Sequence, residues 1–334
     1  MKTLSILAFL AATPVWAAPT LDQITSANPT ALTEGDDDDG GALGTGGDAA
    51  RAAMIRLQVL LDRSGASVGF VDGYMGGATR AAIAAYERMK GLEVDGKLDA
   101  ALWSVLTQAD TPAATTYTIT QEDAAFAPGP PIPEEWIEMA QMERLAYTSH
   151  AEMLAERFQM DQELLEALNP DADFGRAGTE ITVAATRGGE IEAEVLFVEI
   201  DRATGRLRAY AGEGPDSELV FAAPAVVGSQ QNPSPSGTMK VKAIAPDPNY
   251  TFDPKNIPEA DLEETVVIPP GPNGPVGSMW IDLGKPTYGI HGTPYPTGVI
   301  SMNSHGCVRL TNWDAEDLAA MVRPGETTVT FVSD

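Results

Sequence analysis

The chain has 334 residues, 43% of them hydrophobic, and a formal net charge of −27 from 21 basic and 48 acidic side chains. That balance excludes nucleic acid as a partner, because phosphate recognition needs clustered Lys and Arg, and it disfavours anionic lipid surfaces. The length supports two or three cores, and the single cysteine, Cys307, excludes a disulfide framework within the chain.

At the N-terminus, Lys2 precedes an apolar run, Leu4 to Ala12, and Val15-Trp16-Ala17 offers compact residues for cleavage. Residues 1–17 therefore read as an export signal, too short to span a bilayer, and the mature chain is expected in the periplasm or cell wall with no integral membrane segment. Residues 18–47 hold few large apolar side chains, the run Asp36 to Asp39, and the pairs Gly40-Gly41 and Gly46-Gly47. They read as an acidic, disordered linker. The aspartates lack the alternating ligands and closing acid of a calcium loop.

Residues 48–110 alternate helical patterns with Gly-containing turns. Ile55, Leu57, Leu60 and Leu61 give one helix an apolar side, and Ala82, Ile83, Tyr86 and Met89 a second, with Thr79 as its expected cap. Leu57-Gln58, then Asp72-Gly73-Tyr74-Met75-Gly76-Gly77-Ala78-Thr79, then Gly91 to Gly96 make this module resemble the three-helix peptidoglycan-binding-like family. Tyr86-Glu87 departs from its usual Phe-Gln. The alternative is a helical spacer with no ligand. Residues 111–146, with Pro128, Pro130, Pro131 and Pro133, read as a linker. From 147 to 185, Leu154, Ala155 and Phe158, then Leu164, Leu165 and Leu168, mark two helices before a short strand with Ile181 and Val183. This module resembles a divergent LysM unit, two helices on a two-stranded sheet, which implies glycan binding.

From residue 191 to 334 short strands replace helices. Glu194 to Ile200 and Leu207 to Tyr210 read as a hairpin across Asp201 to Gly205, followed by apolar runs at Val220 to Val227, Met239 to Ile244 and Ser278 to Leu283. One helix follows Thr311 or Asn312 as cap, and Thr327 to Val332 closes the chain as a strand. The whole reads as a multidomain α+β protein whose last domain is a mainly β sandwich or barrel.

The chemistry concentrates at Ser304-His305-Gly306-Cys307-Val308-Arg309, where the only thiol follows His305 by two residues and His291 by sixteen. A free cysteine, with a pKa of about 8.5, is mostly protonated at neutral pH. A neighbouring imidazole can take the proton, hold an ion pair with the thiolate, and return the proton to a leaving amine. Backbone N–H groups of Gly306 and Cys307 are candidates to face a developing oxyanion. Cys307, His305 and His291 are also a candidate zinc set, but three ligands without a paired cysteine motif are weak, and no metal or cofactor is expected.

His291-Gly292-Thr293, then Ser304-His305-Gly306-Cys307-Val308-Arg309-Leu310, resembles the signature of the L,D-transpeptidase (YkuD) family. Pro233-Ser234-Pro235-Ser236-Gly237 and Pro269 to Gly277 stand in the order of its other motifs. The resemblance implies Cys307 as nucleophile, His291 as proton donor and acceptor, and His305 as shaping the site. Ser304 and Gly306 hold the turn, and the Gly292 carbonyl orients an imidazole. For Arg309 two readings stand: a contact for a substrate carboxylate, or an ion pair with Asp314 or Glu316. Trp280 and Tyr295 either line a cleft or belong to core and surface. The implied reaction takes a tetrapeptide stem of peptidoglycan through a thioester to an amine, which is another stem, an envelope lipoprotein lysine or a D-amino acid. Transfer to water, as an L,D-carboxypeptidase or thiol hydrolase, and an inactive wall-binding scaffold are the alternatives.

Overall fold

The computed structural model describes residues 18–29, 32, 47–109, 111–186, 191–228, 236–254, 264–300 and 306–333. The expected export signal, the run Asp36 to Asp39, Pro233 to Pro235, and both Ser304 and His305 lie outside the described residues. Within the expected linker 18–47, Leu21–Ser26 forms a helix, α1, opened by a capping box between Thr20 and Gln23. Ile24 is fully buried in a core shared with Ile55 of the next helix. Composition hides this element because one turn and a half needs only a cap and one seated apolar side chain.

The three expected helices are α2 (Gly47–Arg63), α3 (Gly77–Lys90) and α4 (Ala100–Leu106), closed around Leu57, Leu61, Ile83, Tyr86 and Leu102. Two buried side chains tie the two Asp-Gly turns. The Gln58 carboxamide accepts from the backbone N–H of Asp72 and Gly73 at 3.1 and 2.8 Å and donates to Asp72 at 2.7 Å. Glu87, the departure from the family pattern, accepts from Asp95 and Gly96 at 3.0 and 2.9 Å. Thr79 is not the cap of α3. Gly76 occupies that position, and the Thr79 hydroxyl instead accepts from Gln58 at 3.3 Å.

The next unit comprises β1 (Ala114–Thr118), α5 (Gln121–Ala125), α6 (Trp136–Ala140), α7 (His150–Arg157), α8 (Gln162–Leu168) and β2 (Glu180–Ala184). Strands β1 and β2 pair antiparallel from Ala114↔Ala184 to Thr118↔Glu180, and Leu154, Leu164, Leu165, Ile181 and Val183 fill the core. Two helices on a two-stranded sheet were expected for 147–185, but the opening strand comes from 111–146, the supposed linker. Its β-branched and aromatic residues, Thr115 to Thr118, favour a strand, and the partner that proves it lies beyond two helices. The Pro-rich remainder runs along the last domain. Arg144 grips Asp247 at 2.6 and 2.8 Å, the Leu145 N–H donates to Pro270 O at 3.0 Å, and Trp136 stacks on Phe252 with ring centroids 4.6 Å apart.

That last domain holds β3 (Phe197–Asp201), β4 (Arg206–Tyr210), β5 (Leu219–Pro224), β6 (Gly237–Lys240), β7 (Ala243–Pro246), β8 (Tyr250–Phe252), β9 (Val266–Ile268), β10 (Met279–Asp282), β11 (Gly289–His291), β12 (Val308–Arg309), α9 (Asn312–Met321) and β13 (Thr328–Val332). One sheet has the order β5-β4-β3-β13-β6 and a second β12-β11-β10-β7; β8 and β9 form a separate hairpin. Both sheets and α9 share one core through Val198, Leu207, Phe221, Ile281, Ile290, Val308 and Leu318. The apolar run Met239 to Ile244 is divided between two strands in different sheets. Buried Val241 turns the corner between them.

The domains are not separate beads: the module at 48–110 packs on the last domain. Ser67 N–H donates to Ala222 O, and Ala222 N–H to Gly65 O, both at 2.8 Å, so the loop after α2 pairs with the edge strand β5. Trp313 donates from its indole to Gly69 O at 2.9 Å, and Ser67 donates to Asp314 at 3.0 Å, in buried surroundings. Ala85 and Met89 of α3 cover Phe197, Tyr210 and Leu219.

Candidate functional site

Strand β11 runs parallel to β12 with Ile290 opposite Val308 and His291 opposite Arg309. Cys307 precedes β12 directly and thus lies at the strand end beside β11. Gly306, with φ of +117°, adopts a backbone that side-chain-bearing residues rarely take, so the chain bends just before the thiol. The half-buried Cys307 Sγ donates to Thr287 O at 3.2 Å. Thr287 has φ of +70°, unusual for a β-branched residue and a sign of strain at this turn. Burial pushes the Cys307 thiol up, against the opposing help of a backbone hydrogen bond from Gly289 and the Arg309 charge.

His291 is buried, its ring stacked on Trp280 at 5.5 Å with 17° between planes. The Nδ1 atom lies 2.6 Å from Gly292 O. A carbonyl only accepts, so Nδ1 carries the proton and Nε2 holds the free lone pair. Burial, then the Arg309 charge, push the imidazole down to about 3, against the Gly292 hydrogen bond. Burial thus opposes charge on both groups, and so opposes the thiolate ion pair expected as one form of help.

Arg309 is the electrostatic neighbour of Cys307, His291 and Tyr250, and its guanidinium is pushed down by burial. Asp314 accepts from Ser67, and Glu316 accepts from Ser278 in a short hydrogen bond. Among the described residues, no ion pair joins either to Arg309. The Gly292 N–H donates to Met279 O at 3.1 Å, and its carbonyl oxygen lies against His291 Nδ1. Tyr295 is 60% exposed and lines a cavity of about 660 Å³ with Glu152 and Glu156, whereas Trp280 belongs to the site. No group of three or more His, Cys, Asp or Glu residues suited to a metal is found among the described residues.

Three further residues reach this site. Tyr250, from β8, faces Cys307 and Arg309 electrostatically; Asn312 packs behind Gly292; Glu156 bonds Asn312. Sequence offered a signal only for Asn312, as an alternative helix cap. Thr311 takes that role by accepting from Asp314 N–H at 3.2 Å, which frees the Asn312 carboxamide for another one.

Residues 196–331 match the family model described as "L,D-transpeptidase catalytic domain", YkuD, and residues 50–106 match "Putative peptidoglycan binding domain". A Bacillus subtilis protein named "Putative L,D-transpeptidase YkuD" is 46% identical over 60 residues, covering 18% of this chain and 36% of that protein. "Probable L,D-transpeptidase YbiS" of Escherichia coli K12 is 29% identical over 195 residues, 56% of this chain and 61% of its own length. The chain thus spans between about a third and three-fifths of these relatives. Among solved structures, an L,D-transpeptidase from Mycobacterium smegmatis is 17% identical with a TM-score of 0.33, covering 47% of this chain and 74% of its own. The catalytic domain of the E. faecium enzyme is 19% identical with a TM-score of 0.30, covering 42% and 99%. A family acting on peptidoglycan suggests a place outside the cytoplasm, and no helix among the described residues is long and apolar enough to cross a membrane. By these matches residues 196–331 are similar to the L,D-transpeptidase catalytic domain of the YkuD family, and residues 50–106 to a peptidoglycan-binding domain.

Proposed function

We propose that the protein is a peptidoglycan L,D-transpeptidase that works through a thioester on Cys307, with His291 as its base. The observation that carries this is that the chain's one thiol directly precedes β12, the strand that runs parallel to β11 and its buried imidazole, whose Nδ1 lies 2.6 Å from Gly292 O. The Cys307 proton passes to His291 Nε2 as sulfur bonds the carbonyl carbon of the diamino acid in a tetrapeptide stem. Backbone N–H groups at Gly306 and Cys307 face the oxyanion. The carbon–nitrogen bond breaks, and His291 returns its proton to the departing D-residue amine. An acceptor amine attacks the thioester, loses its proton to His291, and sulfur leaves as the thiol.

With burial opposing charge on both partners, the proton moves only as the carbon–sulfur bond forms. The Arg309 charge beside both is suited to the stem carboxylate. The domain at 50–106 and the helix-and-strand unit after it hold the enzyme on the exported wall, and the acceptor is a second stem, a lipoprotein lysine or a D-amino acid. Transfer to water uses the same residues and differs only in the acceptor.

Incubation with a stem tetrapeptide, or with a carbapenem as acylating probe, should add mass to the protein and none to Cys307→Ala. His291→Ala should acylate about 10²- to 10⁴-fold more slowly, and His305→Ala should alter affinity or stability more than the rate. An adduct that persists in Cys307→Ala removes the mechanism.

A further inference from the structure

We propose that Glu156, on α7 and outside the catalytic domain, is a positioning residue for His291, acting through Asn312 and the Gly292–Thr293 peptide. The inference rests on the reading of His291 as the base. Asn312 is buried, and both ends of its carboxamide are engaged. Its Oδ1 accepts from Ser278 N–H at 3.1 Å, while Nδ2 donates to Glu156 Oε2 at 2.9 Å and to Pro272 O at 3.2 Å. Only one orientation of the amide satisfies these three partners.

That amide lies flat against glycine backbone. A Cβ added at Gly292 or at Gly277 would overlap the Asn312 carboxamide, and one at Gly277 would also meet the Gly292–Thr293 peptide bond. The carbonyl of this same peptide takes the His291 Nδ1 proton at 2.6 Å. Displacing Asn312 thus displaces the atom that sets the tautomer and aim of the base. Within the catalytic domain, Ser278 and Pro272 hold two edges of Asn312, and Glu156 closes the third from another domain. The Glu156 side chain is fixed in turn by Tyr147, whose hydroxyl donates at 3.3 Å.

Burial pushes Glu156 up to about 8, with Glu152 and Glu316 reinforcing it and the Asn312 and Tyr147 hydrogen bonds opposing. These groups and Asn312 are what face it from α7, α9 and the segment before α7. Burial thus favours the uncharged acid, whose acceptor oxygen glutamine reproduces.

The full chain is assayed for acylation by a carbapenem between pH 5 and 9, with thermal unfolding and ¹⁵N shifts of the His291 ring. In Glu156→Leu, which fills the space without an acceptor, the acylation rate constant should fall about 10- to 100-fold with affinity for the non-covalent complex unchanged. Its His291 should populate both neutral tautomers. Glu156→Gln should restore the rate and the Nδ1–H form. A folded Glu156→Leu with the native rate, pH profile and tautomer overturns the proposal. Should that variant fail to fold, Asn312→Ser carries the same test, and a native rate and tautomer there overturn it equally. If the unmodified protein is not acylated at Cys307, the proposed function has failed, and the tautomer readout still decides the positioning.

Discussion

His291 and Glu156 are buried groups pushed in opposite directions, to about 3 and about 8, and their effects on stability carry opposite signs. Between pH 3 and 6.5 the unfolded imidazole binds a proton that the folded one refuses, so stability falls as pH drops through this window. Between pH 4.5 and 8 the folded Glu156 keeps a proton that the unfolded chain has released, so stability falls as pH rises. In urea unfolding followed against pH, His291→Asn should flatten the acid limb, and Glu156→Gln the limb above about pH 5. A slope unchanged in either variant contradicts the burial assigned to that residue. The acylation rate should likewise keep its base well below the usual histidine range. At this scale Cys307 and His291 were legible because their residue types are rare in the chain. Glu156 was not, because an acidic residue on an amphipathic helix reads as solvated until the face it meets is known.

Among elements, α6 and the segment around it overturn the linker reading most clearly. Prolines exclude regular structure but not docking: a chain without secondary structure still donates and accepts backbone hydrogen bonds, as Leu145 does with Pro270 and Asn273. Trp136 stacks on Phe252 and lies 5.9 Å from the Tyr250 ring, so α6 braces the β8–β9 hairpin whose Tyr250 faces Cys307. An aromatic pair contributes about 0.5–1.5 kcal/mol beyond its buried area. Trp136→Ala should lower the unfolding temperature by a few degrees and speed amide exchange at 250–252 and 266–268 ahead of the two main sheets. Exchange unchanged in the hairpin would assign its order to the catalytic domain alone. The elements read best from sequence are those with their own periodicity, α2, α3, β3, β4 and α9. The two-residue β12 and three-residue β11 carry no pattern, although they hold the site.

For the whole molecule, a last domain that folded alone would lose nothing when residues 48–183 are cut away. The structure predicts otherwise: the cut exposes Phe197, Tyr210, Leu219 and Trp313 and strips the edge of β5. Exposed apolar surface beside an open strand edge favours association. Residues 191–334 alone should unfold at a lower temperature and elute above monomer size, whereas the full chain should bind insoluble peptidoglycan. A monomeric fragment with the stability and acylation rate of the full chain would return the N-terminal domains to the role of tethers.

What the sequence by itself determined was the local and the rare: helix and strand periods, a three-helix module, a late β domain, and one thiol with its histidine in a recognisable order. These depend on near neighbours in the chain and on residue identity. Tertiary structure alone decided that β1 pairs with β2, that the Pro-rich segment lies on the last domain, that burial opposes charge on the thiol and the imidazole, and that Glu156 bonds the Asn312 packed behind Gly292. Each of these follows from desolvation or from hydrogen bonds between residues far apart in sequence, and burial is a property of the folded chain that no single stretch of residues encodes.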